Sequence, residues 1–255
     1  MARIELGSET FEADLIAFDK DGTLIEVDSM WGRLAEAWVA ILAGDGDQAL
    51  ERDLYRSLGY DPARRRTLPQ SPLSMATTGQ LRAIAAGTLY RHGTPWPEAE
   101  DRIQAAFRQV GDELALPDLV RPAGNVAGLF TKLQDAGIRL ALVTMDHRAE
   151  TEETMRLLGI EKLVDHLVCG DDGWPLKPAP DMLLAACDRL QIDPSRTAVV
   201  GDTRADMLMA QRAGSGLRVI VLAGPGGPAL LADHADVVIQ SIDDIAVPMP
   251  IDQPW

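Results

Sequence analysis

The chain has 255 residues, of which 46% are hydrophobic and 25% charged, the balance of an ordinary globular protein with room for one large domain or a core with an inserted module. Its 39 acidic residues outnumber 24 lysines and arginines, for a formal net charge of −15. That charge argues against a general nucleic-acid binder, which needs a basic face, and leaves local cations, metal or backbone amides to draw in any anionic substrate.

The first informative segment is Leu15-Ile16-Ala17-Phe18, an apolar run that reads as a short buried strand. It feeds Asp19-Lys20-Asp21-Gly22-Thr23, in which two carboxylates two residues apart enter a Gly-Thr turn. Residues i and i+2 of a strand share a side, so both acids are expected to face one cleft. Crowded carboxylates persist best around a cation or a shared proton. Alone, Asp-x-Asp-Gly is an ordinary turn. A calcium loop is excluded, because an apolar strand precedes and Thr23-Leu24-Ile25 follows. Lys20, between the acids, is expected to point away from them in a structural role.

Helical spacing dominates the next hundred residues. Ser29 is expected to cap a helix carrying Trp31, Leu34, Trp38, Ile41 and Leu42. Leu50, Leu54 and Leu58 recur at i, i+4; Thr78 precedes Leu81, Ile84 and Leu89; Pro97 precedes Ile103, Phe107 and Val110. This is a helical insertion, assigned to residues 26–122, with a core domain made of 1–25 and 123–255. From Ala123 strands and helices alternate. Strands are expected over 139–144, 165–170, 197–201, 217–222 and 236–240, with helices over 149–158, 180–191 and 205–213. Nearly all-apolar strands in such alternation imply an α/β fold with a parallel sheet covered on both faces. The proline-rich stretch 247–255 reads as irregular.

Two cysteines, Cys169 and Cys187, make no disulfide framework, and reduced thiols are expected. Acids at Glu5, Glu9, Glu12 and Asp14 argue against a signal peptide, and no apolar run approaches the roughly 20 residues of a membrane span. A cytoplasmic enzyme is the expectation.

Three further segments join the first. Thr144 ends a strand, and Met145 and Asp146 follow with backbone amides that, with the hydroxyl, can hold a phosphoryl oxygen. Lys177, stiffened by Pro178 and Pro180, offers a cation for a nucleophilic carboxylate and for transferring oxygens. Gly201-Asp202-Thr203-Arg204-Ala205-Asp206 places acids at another strand end and one helical turn later. Each segment has a bland reading as a turn, a strand edge or a surface charge. Their shared position at the carboxyl ends of strands, where open parallel sheets bind ligands, favours a functional one.

These four segments resemble, in order, the four motifs of the haloacid dehalogenase (HAD) superfamily. The insertion resembles the helical cap of its phosphoglycolate phosphatase-like branch. The resemblance implies a HAD-like Rossmannoid core, with Asp19 as the nucleophile that forms an aspartyl-phosphate and Asp21 as the general acid and then base. It implies that Thr144 and Lys177 complete the catalytic set, that Met145 and Asp146 share substrate binding with them, and that Mg²⁺ is held by Asp19, Asp202 and the Asp21 main-chain carbonyl. Asp206 would act behind the metal ligands and Thr23 would support the Asp19 loop. Met145 departs from the pattern, since many relatives carry Asn there.

Asp21 also argues for an oxygen leaving group, because dehalogenases lack an acid at that position. The expected activity is hydrolysis of a small-metabolite phosphomonoester, phosphoglycolate-like or a sugar phosphate, with no nucleic-acid or membrane partner. A β-phosphoglucomutase-like phosphosugar mutase is the alternative, and a non-catalytic regulatory relative a remote one. Oligomeric state is not legible.

Overall fold

The computed structural model describes residues 2–7, 9–222 and 234–248. The irregular stretch expected over 247–255 lies outside them from position 249 onward. Two compact units divide the chain, Met1–Ile25 with Pro122–Trp255, and Glu26–Arg121.

The chain opens with β1 (Ala2–Leu6) and β2 (Glu9–Ala13), an antiparallel hairpin in which Ile4 faces Phe11 and Gly7 sits at φ 64°. Ile4 and Leu6 are buried while Glu5 between them is half-buried, the alternation of a strand with one covered face. The hairpin is not among the expected strands, because its mixed acidic pattern carries no clear strand signal. Strand β3 (Leu15–Phe18) follows, buried at all four positions.

The helical unit begins with a π-helical turn over Asp28–Gly32 that runs into α1 (Arg33–Ala43). Ser29 does not cap it. The backbone is already helical at Val27, and the Ser29 hydroxyl donates to the Glu26 carbonyl at 2.8 Å. Helix α2 (Gln48–Leu58) buries Leu50, Leu54 and Leu58, and its cap Asp47 accepts from the Leu50 amide at 3.0 Å. A two-residue ladder, β4 (Tyr60–Asp61) and β5 (Arg66–Thr67), and a single turn, α3 (Pro72–Met75), lead to α4 (Thr78–Arg91). Thr77 and Gln80 form a capping box at its start. Helices α5 (Trp96–Glu113) and α6 (Leu116–Leu119) close the unit. Trp38 stacks on Phe107 with ring centres 4.0 Å apart, in a core shared by α1, α2, α4 and α5.

The remaining α-helices and strands among the described residues are α7 (Val126–Asp135), β6 (Arg139–Val143), α8 (Arg148–Leu157), β7 (His166–Val168), α9 (Asp181–Leu190), β8 (Thr197–Gly201), α10 (Arg204–Ala213), β9 (Leu217–Val221), β10 (Val237–Ile239) and β11 (Ile245–Ala246). Six strands form a parallel sheet in the order β10-β9-β8-β3-β6-β7. The short β11 pairs antiparallel with β1. Leu15, Ala17, Val143 and Val199 pack on Met182, Leu183, Met207 and Ala210 from α9 and α10 on one face. On the other face Phe18 meets Phe130 of α7, ring centres 4.8 Å apart. Among the described residues no helix is long and apolar enough to cross a membrane.

The topology positions the site. From β3 the chain builds outward through β6 and β7, then returns to lay β8, β9 and β10 on the other side. Phe18 is therefore in register with Leu142 on one side and Val200 on the other. The loops leaving these three strands begin side by side at the point where the order reverses, the place where open α/β sheets bind ligands.

Candidate active site

Asp19 is still tied to the sheet, its amide donating to the Val200 carbonyl at 2.9 Å. The chain then turns sharply. The Lys20 carbonyl accepts from the amides of Thr23, Leu24 and Ile25 at 3.4, 2.8 and 3.1 Å, and Thr23 is buried within this turn. Gly22 takes φ +77°, and a Cβ there would lie 2.2 Å from Asp202 Oδ2. Only glycine fits, because the carboxylate from the tip of β8 packs directly on the loop from β3.

Lys177 reaches this point from the segment before α9. Its Nζ lies 2.6 Å from Asp19 Oδ1 and 2.6 Å from Asp206 Oδ1. Asp206, in the first turn of α10, uses its other oxygen to accept from the Thr203 amide at 3.1 Å and from the Thr203 hydroxyl, which closes a capping box. Burial works against a charged Lys177, yet Asp19 and Asp206 together hold its ammonium above the ordinary lysine range. Burial pushes the Asp19 carboxyl up to about 6, with Lys177 opposing and Asp206 adding to the rise.

Oxygens of Asp19, Asp202 and Asp206 lie within 4.8 Å of one another. Their partners differ. Both Asp206 oxygens are engaged, by Lys177 and by Thr203, whereas Asp202 is 1% exposed and its Oδ1 has no hydrogen-bond partner among the described residues. Burial, then the carboxylates of Asp19, Asp206 and Asp21, hold Asp202 well above the ordinary carboxyl range. A buried carboxylate with an orphaned oxygen beside a second acid is a donor set for a hard divalent cation. Asp19 and Asp202 have free lone pairs for it, and Asp206 is committed to orienting Lys177.

Thr144 follows β6 and is buried. Its amide donates to the Val168 carbonyl at 3.0 Å, and its hydroxyl accepts from the Asp146 amide at 3.2 Å. The Asp146 amide is thus engaged with Thr144 in this arrangement. Gly170 supports the loop from the neighbouring strand, its amide on the Asp146 carbonyl at 2.8 Å and its backbone so close to the Met145 carbonyl that a Cβ would lie 2.1 Å away.

Lys20 departs from its expected orientation. Its side chain does not point away from the acids. Nζ lies 2.9 Å from Asp21 Oδ2 and 2.6 Å from Asp146 Oδ2, with no exposed surface. Alternation of faces holds only while the strand continues, and β3 ends at Phe18; in the turn beyond, the four-carbon stem curls back over the loop. Burial raises the Asp21 carboxyl first and the Asp146 carboxylate raises it further, with Lys20 opposing both. Asp146 runs the other way: burial raises it, but Lys20 and a hydrogen bond with Asp21 together hold it below the usual range. The Asp146 carboxylate is therefore paired with Lys20, while the expectation for substrate concerned its backbone amide. The signal for this pair was present as a lysine and an aspartate at two strand tips, but only the strand order makes those tips neighbours.

Residues 13–214 match the family described as haloacid dehalogenase-like hydrolase. A phosphoglycolate phosphatase of Escherichia coli O157:H7 is 30% identical over 233 residues, covering 90% of each chain. A plasmid-borne phosphoglycolate phosphatase of Cupriavidus necator is 34% identical over 151 residues, spanning 58% of this chain and 64% of that one. Among solved structures, one described as a predicted phosphoglycolate phosphatase from Haemophilus somnus superposes with a TM-score of 0.69 at 20% identity, over 91% of this chain and 96% of that one. The chain belongs to the haloacid dehalogenase-like hydrolase family, and within it to the phosphatases.

Proposed function

We propose that the enzyme is a Mg²⁺-dependent phosphomonoesterase acting on a small phosphorylated metabolite, with a phosphoglycolate-like substrate favoured by the names of its relatives. The observation that carries this reading is the pairing at the tip of the central strand, where the Asp19 carboxylate meets Lys177 at 2.6 Å beside the orphaned Asp202 oxygen. Residues 26–122 are assigned the role of a helical cap, and the cytoplasm is the proposed location.

In this reading an Asp19 oxygen attacks phosphorus, forming an acyl phosphate as the ester P–O bond breaks. The Asp21 carboxyl gives its proton to the departing oxygen. It then takes a proton from the water that attacks the aspartyl-phosphate, releasing inorganic phosphate and restoring Asp19. The raised Asp21 carboxyl suits the first of these roles, since a protonated acid is needed there. Lys177 neutralises charge on the nucleophile and the transferring oxygens, and the Thr144 hydroxyl with the Met145 loop holds the phosphoryl group. Asp19, Asp202 and the Asp21 carbonyl would hold Mg²⁺, which when bound offsets the negative charge of nucleophile and phosphoryl group brought together.

The test is phosphate release from an aryl phosphate and from a panel of phosphorylated metabolites. Turnover is expected with Mg²⁺, and none in EDTA or in Asp19→Asn. No release from any compound in the presence of Mg²⁺ would overturn the reading. Turnover of a sugar phosphate that required a bisphosphate and released little phosphate would replace it with a mutase.

A further inference from the structure

The ion pair between Lys20 and Asp146 has no part in the scheme above, yet it is built at some cost. A lysine with no exposed surface gives up its hydration, and here two carboxylates replace that water, Asp21 at 2.9 and 3.1 Å and Asp146 at 2.6 Å. The two acids come from loops that leave adjacent strands, β3 and β6. One ammonium therefore clamps both loops. The charges acting on Asp21 show what the clamp opposes. Asp19 and Asp146 both repel an ionised Asp21, Asp202 lies within reach of the same field, and Lys20 is the cation that counters them. Without it, an ionised Asp21 loses its ion-pair partner and the repulsion of Asp19 and Asp146 is unopposed. Asp146 has a second part: its carboxylate, 2.6 Å from Nζ, anchors the ammonium by charge, and so helps to fix where Asp21 is held.

We propose that Lys20 and Asp146 form a positioning pair that fixes the Asp21 carboxyl group at the leaving-group oxygen. This rests on the reading of Asp21 as acid and base. In this role the two side chains act on Asp21 and not on substrate, so the pair works through the geometry of Asp21.

A positioning role predicts a dependence on the leaving group. An alkoxide departs only with a proton, whereas a nitrophenolate departs without one. The ratio kcat/KM reports steps up to the first phosphoryl transfer, so subsequent hydrolysis of the aspartyl-phosphate does not mask the difference. In Lys20→Met, kcat/KM for an alkyl phosphate is expected to fall by about 100-fold, the scale of a misplaced catalytic group. For p-nitrophenyl phosphate the fall should be only a few-fold. Asp146→Asn is expected to show the same preference, and the double variant should be no worse than the poorer single one, because the two residues act as a unit. Asp21→Asn supplies the reference pattern, and circular dichroism establishes that each variant is folded. If Lys20→Met does not fold, Asp146→Asn decides the matter alone. Equal losses on both substrates in a folded variant, or additive losses in the double one, would overturn the positioning role while Asp21→Asn still showed the leaving-group pattern. Absence of that pattern in Asp21→Asn itself would overturn the acid–base reading and the positioning role with it.

Discussion

Lys177 and Asp206 form a buried ion pair, Nζ to Oδ1 2.6 Å, with side chains only 2% and 1% exposed, and the same ammonium sits 2.6 Å from Asp19. One cation thus stands among three crowded carboxylates. Lys177→Met removes it and leaves Asp19, Asp202 and Asp206 without compensation. Breaking a buried pair from one side costs about 3–5 kcal/mol, and protonation of the stranded acids holds the loss toward the lower figure. Urea denaturation at neutral pH should show this loss, with activity abolished. Stability equal to that of the unaltered protein would mean that the pair does not hold the site together.

The same crowding makes the metal-free protein sensitive to pH. Asp19 is raised to about 6 from an ordinary value of 3.8, and Asp21 and Asp202 are raised well above theirs. A carboxyl that is harder to ionise when folded binds more protons in the native state than in the unfolded one, so stability falls as pH rises between the two values. For Asp19 that window runs from near 3.8 through about 6, and above it the loss is complete. In EDTA the melting temperature should therefore be higher at about pH 5 than at about pH 7.5. Asp202→Asn should flatten the slope and raise the melting temperature at the higher pH, and it should abolish the upward shift that Mg²⁺ gives the unaltered protein. A flat profile in EDTA would contradict the arrangement of charges.

Much of this was local enough to read from the chain. Leu15–Phe18, Arg139–Val143 and Thr197–Gly201 are apolar runs ending in Asp19, Thr144 and Asp202, and each is a buried strand of the parallel sheet. The leucines of α2, recurring at i, i+4, were equally plain. What escaped depends on distant partners or on where a local rule stops. Hairpin β1–β2 completes its sheet only with Ile245–Ala246, at the far end of the chain. Ser29 looks like a helix cap, but the helix has begun before it in a wider turn. The direction of Lys20 followed from alternation, which holds for a strand and fails two residues past the end of one.

Gly22 tests how tightly the loops from β3 and β8 are fitted. Its φ of +77° is one that side chains rarely adopt, and an added methyl group would collide with the Asp202 carboxylate. Gly22→Ala should cost more than about 1 kcal/mol, since both the backbone and the space forbid it. Because the displaced group is Asp202, the midpoint of a Mg²⁺ titration followed by melting temperature should move to higher concentration as well. An alanine tolerated without change in either measure would show that the two loops can separate freely.

The thiols test the packing of the sheet and its edge. Cys169 and Cys187 are each 1% exposed. Burial pushes the Cys169 thiol up to about 11, against the pull of Arg148, and raises Cys187 also. Only the thiolate attacks a disulfide reagent, so at about pH 8 both groups are suppressed by protonation as well as by lack of access. The native protein should consume almost no Ellman's reagent, and two equivalents should react once it is unfolded in guanidinium. Since Cys169 directly follows β7 and its amide is held by Asp172 at 2.8 Å, Asp172→Ala should release that turn and let one thiol react in the folded protein. Rapid reaction of a thiol in the unaltered protein would mean that the edge of the sheet opens far more often than its packing implies.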